Sequence, residues 1–221
     1  MELHTFTHNA FSEQTYLLDH GNGEATVIDP GMNDTREQEN FANFCKERGL
    51  RVVQMLLTHA HLDHVLGAAW VHKQWGVKPR LHRLDGPTYE QAPRAAAVYG
   101  VPMDLLPELG PELIADQLIS CGPHALEVKF TPGHAPGHVV FVCEPEGWVI
   151  GGDVLFAGSV GRTDLPGCNP LDLVQSIEDV LYQLPDGFTV WPGHGPATTI
   201  GQEKRENPFV NAAGSGMMQR G

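Results

Sequence analysis

In Leu57-Thr58-His59-Ala60-His61-Leu62-Asp63-His64, four ligand-type side chains fall within six positions. The stretch follows an apolar run at residues 52–57 that reads as a β-strand, and it leads into a helical pattern over 64–75 that Gly76 stops. Three further strands end in the same way. His134 follows residues 128–130 in Thr131-Pro132-Gly133-His134, Asp153 follows 149–150, and His194 follows 190–191 in Pro192-Gly193-His194-Gly195. In α/β sheets, functional sites form at this rim just beyond the strand ends. A lone histidine beside a glycine is ordinarily a turn residue satisfied by hydrogen bonds. Four strand ends of this kind, one carrying His-x-His-x-Asp-His, instead read as a metal site. Neutral imidazoles and carboxylates accept zinc, iron or manganese without a thiolate. Five histidines and two aspartates exceed one tetrahedral site, and they suit two ions sharing a carboxylate and a hydroxide.

Composition narrows the function classes. The 221 residues are 41% apolar, enough to fill a core, and no apolar run approaches the ~18 residues of a membrane helix. Met1-Glu2-Leu3-His4-Thr5 lacks the basic and apolar regions of a signal peptide. The cysteines, Cys45, Cys121, Cys143 and Cys168, form no Cys-x-x-Cys pair, so a reduced, cytoplasmic protein is expected. Fourteen Lys and Arg against 27 Asp and Glu give a net charge of −13. Such a surface repels phosphate backbones and anionic lipid, so neither nucleic acid nor membrane is an expected partner.

The rest of the chain reads as strands alternating with helices, the pattern of an α/β fold. Strands are expected at 15–18, 25–28, 126–130, 139–143, 148–150 and 188–191. A helix begins at Asn33 or Asp34 as cap, buries Phe41, Phe44 and Cys45, and ends at Gly49. A short helix is expected over 89–98. Asn169-Pro170 opens another, with Val174, Ile177, Leu181 and Leu184 as its buried stripe and Pro185 as its stop. Val27-Ile28-Asp29-Pro30-Gly31 is echoed weakly by Ile150-Gly151-Gly152-Asp153, a hint of two related halves.

These motifs resemble those of the metallo-β-lactamase-fold hydrolases, from Phe11-Ser12-Glu13-Gln14-Thr15-Tyr16 to Asn207-Pro208-Phe209. The subgroup of similar pattern is the short glyoxalase II-like proteins, through the stretch from Gly158-Ser159-Val160-Gly161-Arg162 to Thr163-Asp164-Leu165-Pro166-Gly167 and through Pro192-Gly193-His194-Gly195-Pro196. The resemblance implies a four-layer αββα sandwich in a single domain over residues 1–210, with 211–221 a disordered tail too short for the helical extension of long glyoxalase II enzymes. It implies that His59, His61 and His134 hold one metal, that Asp63, His64 and His194 hold a second, and that Asp153 bridges them. Asp63 would also orient the bridging hydroxide. Two divalent ions are expected, zinc first, with iron or manganese as the other occupants. Asp153 stands where many β-lactamases of the fold carry a cysteine ligand, which disfavours that activity.

Two metals would lower the pKa of a shared water from ~15.7 toward ~7, and one would polarise a carbonyl. A thioester suits this apparatus, because its thiol leaves with a pKa near ~8.5. The expected activity is therefore thioester hydrolysis of a small molecule such as S-lactoylglutathione. The alternative is a mono-iron persulfide dioxygenase using His59, His134 and Asp153. Asp29 and Thr58 are expected to brace the histidine loop, and His138 to be structural. Arg162 and Asp164 are expected as a buried ion pair, or Arg162 as a cation for the substrate carboxylate. His4, His8, His20, His72, His82 and His124 are expected at the surface.

Overall fold

The protein is described here by a computed structural model over residues 1–219. It divides into two compact units, Met1–Leu113 with Ile119–Ala125, and Ile114–Leu118 with the chain from Leu126 onward.

In the first unit, β1 (Glu2–His8), β2 (Glu13–Asp19) and β3 (Glu24–Ile28) form an antiparallel meander. Helix α1 (Thr35–Arg48) crosses to β4 (Arg51–Leu56), which lies parallel to β3. Helices α2 (Leu62–Val65) and α3 (Ala68–Trp75) precede β5 (Pro79–Arg80), and α4 (Gly86–Tyr99) follows it. The sheet order is β1-β2-β3-β4-β5. Asp34 caps α1 by accepting the Glu37 amide at 2.8 Å, and Gly49 closes it in the left-handed region at φ 66°. Phe41 and Cys45 of α1 and Val71 of α3 pack with Leu17, Val27 and Met55 of the sheet. Leu57 and Ala60, on either side of His59, pack instead with Val65, Tyr89 and Ala92, so α4 supports the histidine loop.

The second unit repeats this plan. The short strand β6 (Leu118–Cys121) and the first two residues of β7 (His124–Phe130) fall mostly in the Ile119–Ala125 stretch of the first unit, and the rest of β7, β8 (Val139–Cys143) and β9 (Trp148–Gly152) follow in the second. β7 to β9 are antiparallel. A hairpin of β10 (Leu155–Phe156) and β11 (Ser159–Val160) leads toward α5 (Pro170–Asp179), which crosses to β12 (Thr189–Pro192), parallel to β9. β13 (Thr198–Thr199) and α6 (Ile200–Glu206) complete the unit. Two antiparallel pairings, then a parallel one across a helix, occur in both units, and in each the third strand leads into an aspartate, Asp29 or Asp153. The echo in the sequence is thus an echo of topology.

Several expectations need correction. The helix expected over 64–75 is two helices, broken at Gly67. A Cβ there would lie 2.2 Å from Met32 Sδ, and the Gly67 amide donates to Pro30 O at 2.7 Å, so close packing overrides the helical pattern. The helix expected over 89–98 begins earlier, at Gly86-Pro87, and tolerates the exposed Pro93 in its interior. β1 has little apolar alternation and was not expected as a strand. Helix α5 ends at Asp179; Leu173 and Ile177 face the core, Leu181 does so from a following 3₁₀ turn, and Val174 is half-buried. His8 and His20 are buried, each bonded to a threonine hydroxyl, Thr15 at 2.8 Å and Thr26 at 3.0 Å. Burial lowers the His8 imidazole to about 4.

Residues 211–219, within the expected tail, form turns. Gln219 donates to Asn211 O at 2.9 Å and accepts the Gly216 amide at 2.9 Å, and Met218 packs on the core of the second unit. Arg220 and Gly221 of that expected tail lie outside the described residues. No helix among the described residues is long and apolar enough to cross a membrane.

Asn169 caps α5 by accepting the amides of Leu171 at 3.0 Å and Asp172 at 3.4 Å. Asn169→Ala should therefore cost about 1 kcal/mol, read as a lower urea midpoint at unchanged slope. A loss under about 0.3 kcal/mol would mean that this cap does not contribute.

Candidate metal centre

The histidine loop leaves β4 at Leu57 and ends in the single turn of α2. Its first fixed point is the Asp29 carboxylate. Oδ1 accepts the Thr58 amide at 2.7 Å, while Oδ2 accepts the Thr58 hydroxyl at 2.6 Å and lies 3.1 Å from His64 Nδ1. The hydroxyl has one proton and gives it to the carboxylate, so at 3.0 Å from His59 Nδ1 it can only accept. Both rings are therefore protonated on Nδ1, and both carry the lone pair on Nε2. The rings lie 4.2 Å apart, with the His61 ring edge-on to His59 at 4.8 Å. Asp63, with 16% of its side chain exposed, brings Oδ2 to 3.7 Å from His64 Nε2.

The second unit applies the same rule to His134. Its Nδ1 faces the carbonyl of Arg162 at 2.8 Å, and a carbonyl only accepts, so the lone pair again falls on Nε2. That nitrogen lies 3.5 Å from Asp153 Oδ2, and His194 Nε2 lies 3.5 Å from the same oxygen. Two ligands on one tetrahedral ion with bonds of ~2.05 Å stand about 3.4 Å apart. Asp153 Oδ2 is thus at ligand–ligand distance from two imidazoles at once, a spacing compatible with one ion or with a carboxylate between two. The protonation, spacing and chemistry of these donors suit divalent metal ions.

Supporting residues hold these groups from several elements. Ser176 of α5 donates to Pro132 O at 2.7 Å, and the Asn169 amide donates to Gly133 O at 2.7 Å, so α5 and its cap fix the His134 turn. His138 is structural, as expected: it lies 3.1 Å from the Thr131 hydroxyl and accepts the Asp153 amide at 3.1 Å. Arg162 and Asp164 do form a two-pronged pair, at 2.7 and 2.9 Å, but with side chains 57% and 70% exposed, so the expected burial is wrong. The loop uses the Arg162 backbone to orient His134 and leaves the guanidinium in solvent.

Some supporting groups escaped the sequence analysis. Buried Asp85 accepts the Ala60 amide at 2.8 Å between the two loop histidines. Asn9 donates to the main chain of Asp63 at 3.1 Å and of Gly31 at 3.0 Å. Glu13 is fully buried, and desolvation pushes its carboxyl well above the ordinary range. Glu13 stands inside a quoted motif, but Asp85 and Asn9 carry no pattern that would have marked them. Burial pushes the Cys45 thiol up to about 12 and also raises that of Cys143, so neither is suited to act as a nucleophile.

Residues 8–196 match the Metallo-beta-lactamase superfamily. The chain is 37% identical over 195 residues to the probable metallo-hydrolase YqgX of Bacillus subtilis, covering 85% of this chain and 88% of that protein. It is 35% identical over 207 residues to the hydroxyacylglutathione hydrolase GloC of Haemophilus influenzae, covering 92% and 95%. The crystal structure of TTHA1623 in a di-iron-bound form superposes with a TM-score of 0.84 at 39% identity, covering 94% of this chain and all of that one. The chain belongs to the metallo-β-lactamase superfamily and has its α/β fold.

Proposed function

We propose that this protein is a binuclear thioester hydrolase of the glyoxalase II type, acting on S-lactoylglutathione or a similar small thioester. The observation that carries the reading is Asp153 Oδ2, 3.5 Å from the Nε2 atoms of both His134 and His194. His59, His61 and His134 would hold one divalent ion, Asp63, His64 and His194 the other, and Asp153 would join them. The similarity to GloC, over nearly the full length of both chains, supports the substrate class. The di-iron form of TTHA1623 makes iron as good an occupant as zinc, and the donors also accept manganese.

When bound, such ions supply a nucleophilic water at neutral pH and polarise the carbonyl under attack. The chain's own residues do the positioning. The Asp29–Thr58 pair and the Arg162 carbonyl hold three imidazoles in the tautomer that ligation requires. Asp63, with its carboxylate partly exposed beside His64, would orient the attacking water by accepting a hydrogen bond from it. Arg162 is exposed and can meet a substrate carboxylate while still paired to Asp164. The leaving thiolate needs no strong acid, because a thiol pKa near ~8.5 lets it depart as the anion. The four free cysteines fit a cytoplasmic setting, and the −13 charge argues against a nucleic-acid partner.

Asp153→Ala should reduce bound metal from two ions per chain to one or none and lower thioester hydrolysis by about 100-fold or more. Elemental analysis showing two ions retained in that variant would refute the bridging role. The activity itself is separated from its rival by two assays on the metal-loaded protein: S-lactoylglutathione cleavage, and oxygen uptake with glutathione persulfide. Cleavage without oxygen uptake is expected, and a chelator should abolish it. Oxygen uptake with intact thioesters would replace the hydrolase by the mono-iron dioxygenase.

A further inference from the structure

The proposed chemistry leaves Glu13 without a task, yet this carboxyl is fully buried beside a ligand. It opens β2 and is 0% exposed. Oε2 accepts the Thr15 hydroxyl at 3.0 Å, and that hydroxyl in turn accepts the Gly31 amide at 2.9 Å, so the carboxyl is held from the main chain. Among the described residues Oε1 has no hydrogen-bond partner, and it lies 4.0 Å from His64 Nδ1. Burying a carboxyl oxygen without a bond is costly, and a strut between Thr15 and its surroundings would need no acid. The His64 N–H already has an acceptor, Asp29 Oδ2 at 3.1 Å, so one N–H faces two carboxyl oxygens. That excess makes sense for an imidazole whose Nε2 electrons are drawn toward a cation, because its N–H is then a stronger donor and its ring more positive.

We propose that Glu13 is a positioning residue for His64, a second carboxyl oxygen set behind its N–H that works with Asp29 to strengthen the grip of His64 on a divalent ion. This rests on the binuclear reading above, since His64 is assigned there to the second ion.

The test is Glu13→Gln in the full chain. Glutamine keeps the size of the side chain and an oxygen for the Thr15 hydroxyl, and it puts an NH2, which cannot accept, where Oε1 faces the His64 N–H. Metal-stripped wild type and variant are titrated with Zn²⁺ against a chromophoric chelator, and their melting temperatures are taken with and without zinc. In the variant, one of the two ions should bind about 10–100-fold more weakly, with the other changed less than about twofold. The metal-free variant should melt no lower than metal-free wild type, and its rise on adding zinc should be smaller. Unchanged affinity for both ions overturns the proposal. So does an equal weakening of both together with a lower metal-free melting temperature, the mark of a structural residue. Wild type that binds a single ion overturns the binuclear reading itself and the proposal with it.

Discussion

The Asp29 carboxylate is the tie on which the histidine loop of the first unit depends. It receives three donors, the amide and hydroxyl of Thr58 and the Nδ1–H of His64, and it does so while 1% exposed. Hydrogen bonds to a charged acceptor contribute roughly 1.5–3 kcal/mol each, so the set offsets the cost of burying the charge. The same bonds determine where protons reside on two rings. A carboxylate that can only accept forces the hydroxyl to donate, and the hydroxyl then forces His59 to donate. Metal-binding chemistry at Nε2 thus follows from a hydrogen-bond rule applied on the far side of each imidazole.

The second unit reaches the same result with different parts. A backbone carbonyl replaces the carboxylate behind His134, and the loop that supplies it, around Arg162, is otherwise exposed. That loop is held in turn from the C-terminal side. Asn207 donates to Ser159 O at 3.0 Å and to Glu203 at 2.8 Å, while Glu203 accepts the Gly158 amide at 3.0 Å. Asn207 also accepts the amides of Phe209 and Val210. The Asn-Pro-Phe segment, noticed in the sequence only as part of a resemblance, thereby locks the β10–β11 hairpin that precedes Arg162.

What could be read from the sequence was what is local in it. The His-x-His-x-Asp-His run, the cap at Asp34, the Asn169-Pro170 start and the strands before each ligand are signals spread over a few positions. What could not be read depends on partners far along the chain. Gly67 breaks a helix because Met32 and Pro30 lie against it. Asp85 matters because it meets Ala60, 25 residues away. His8 and His20 are buried because each finds a threonine hydroxyl on a neighbouring part of the first sheet, and a neutral imidazole with one such partner pays little to leave water. The Arg162–Asp164 pair failed for the opposite reason: opposite charges two positions apart suggest pairing, but nothing local says whether solvent reaches them.

The two units also show how one motif can serve two ends. Each third strand leads into an aspartate, and the left-handed residue sits differently in the two turns. In the first unit it is Asp29 itself, at φ 50°, with its amide bonded to Leu56 O at 3.0 Å. The side chain then meets the Thr58 backbone and the Nδ1 side of His64, and its oxygens are taken up there. In the second unit the left-handed residue is Gly152, at φ 46°, one position before Asp153. The Asp153 amide turns to His138 Nε2 at 3.1 Å, and its carboxylate comes instead to the Nε2 side of His134 and His194. Aspartate enters the left-handed region more readily than most residues, and Asp29 does so while its carboxylate receives three bonds. Moving that conformation onto a glycine frees the following aspartate from it. The difference between an aspartate that braces ligands and one that can act as a ligand thus comes down to which of two adjacent residues adopts positive φ.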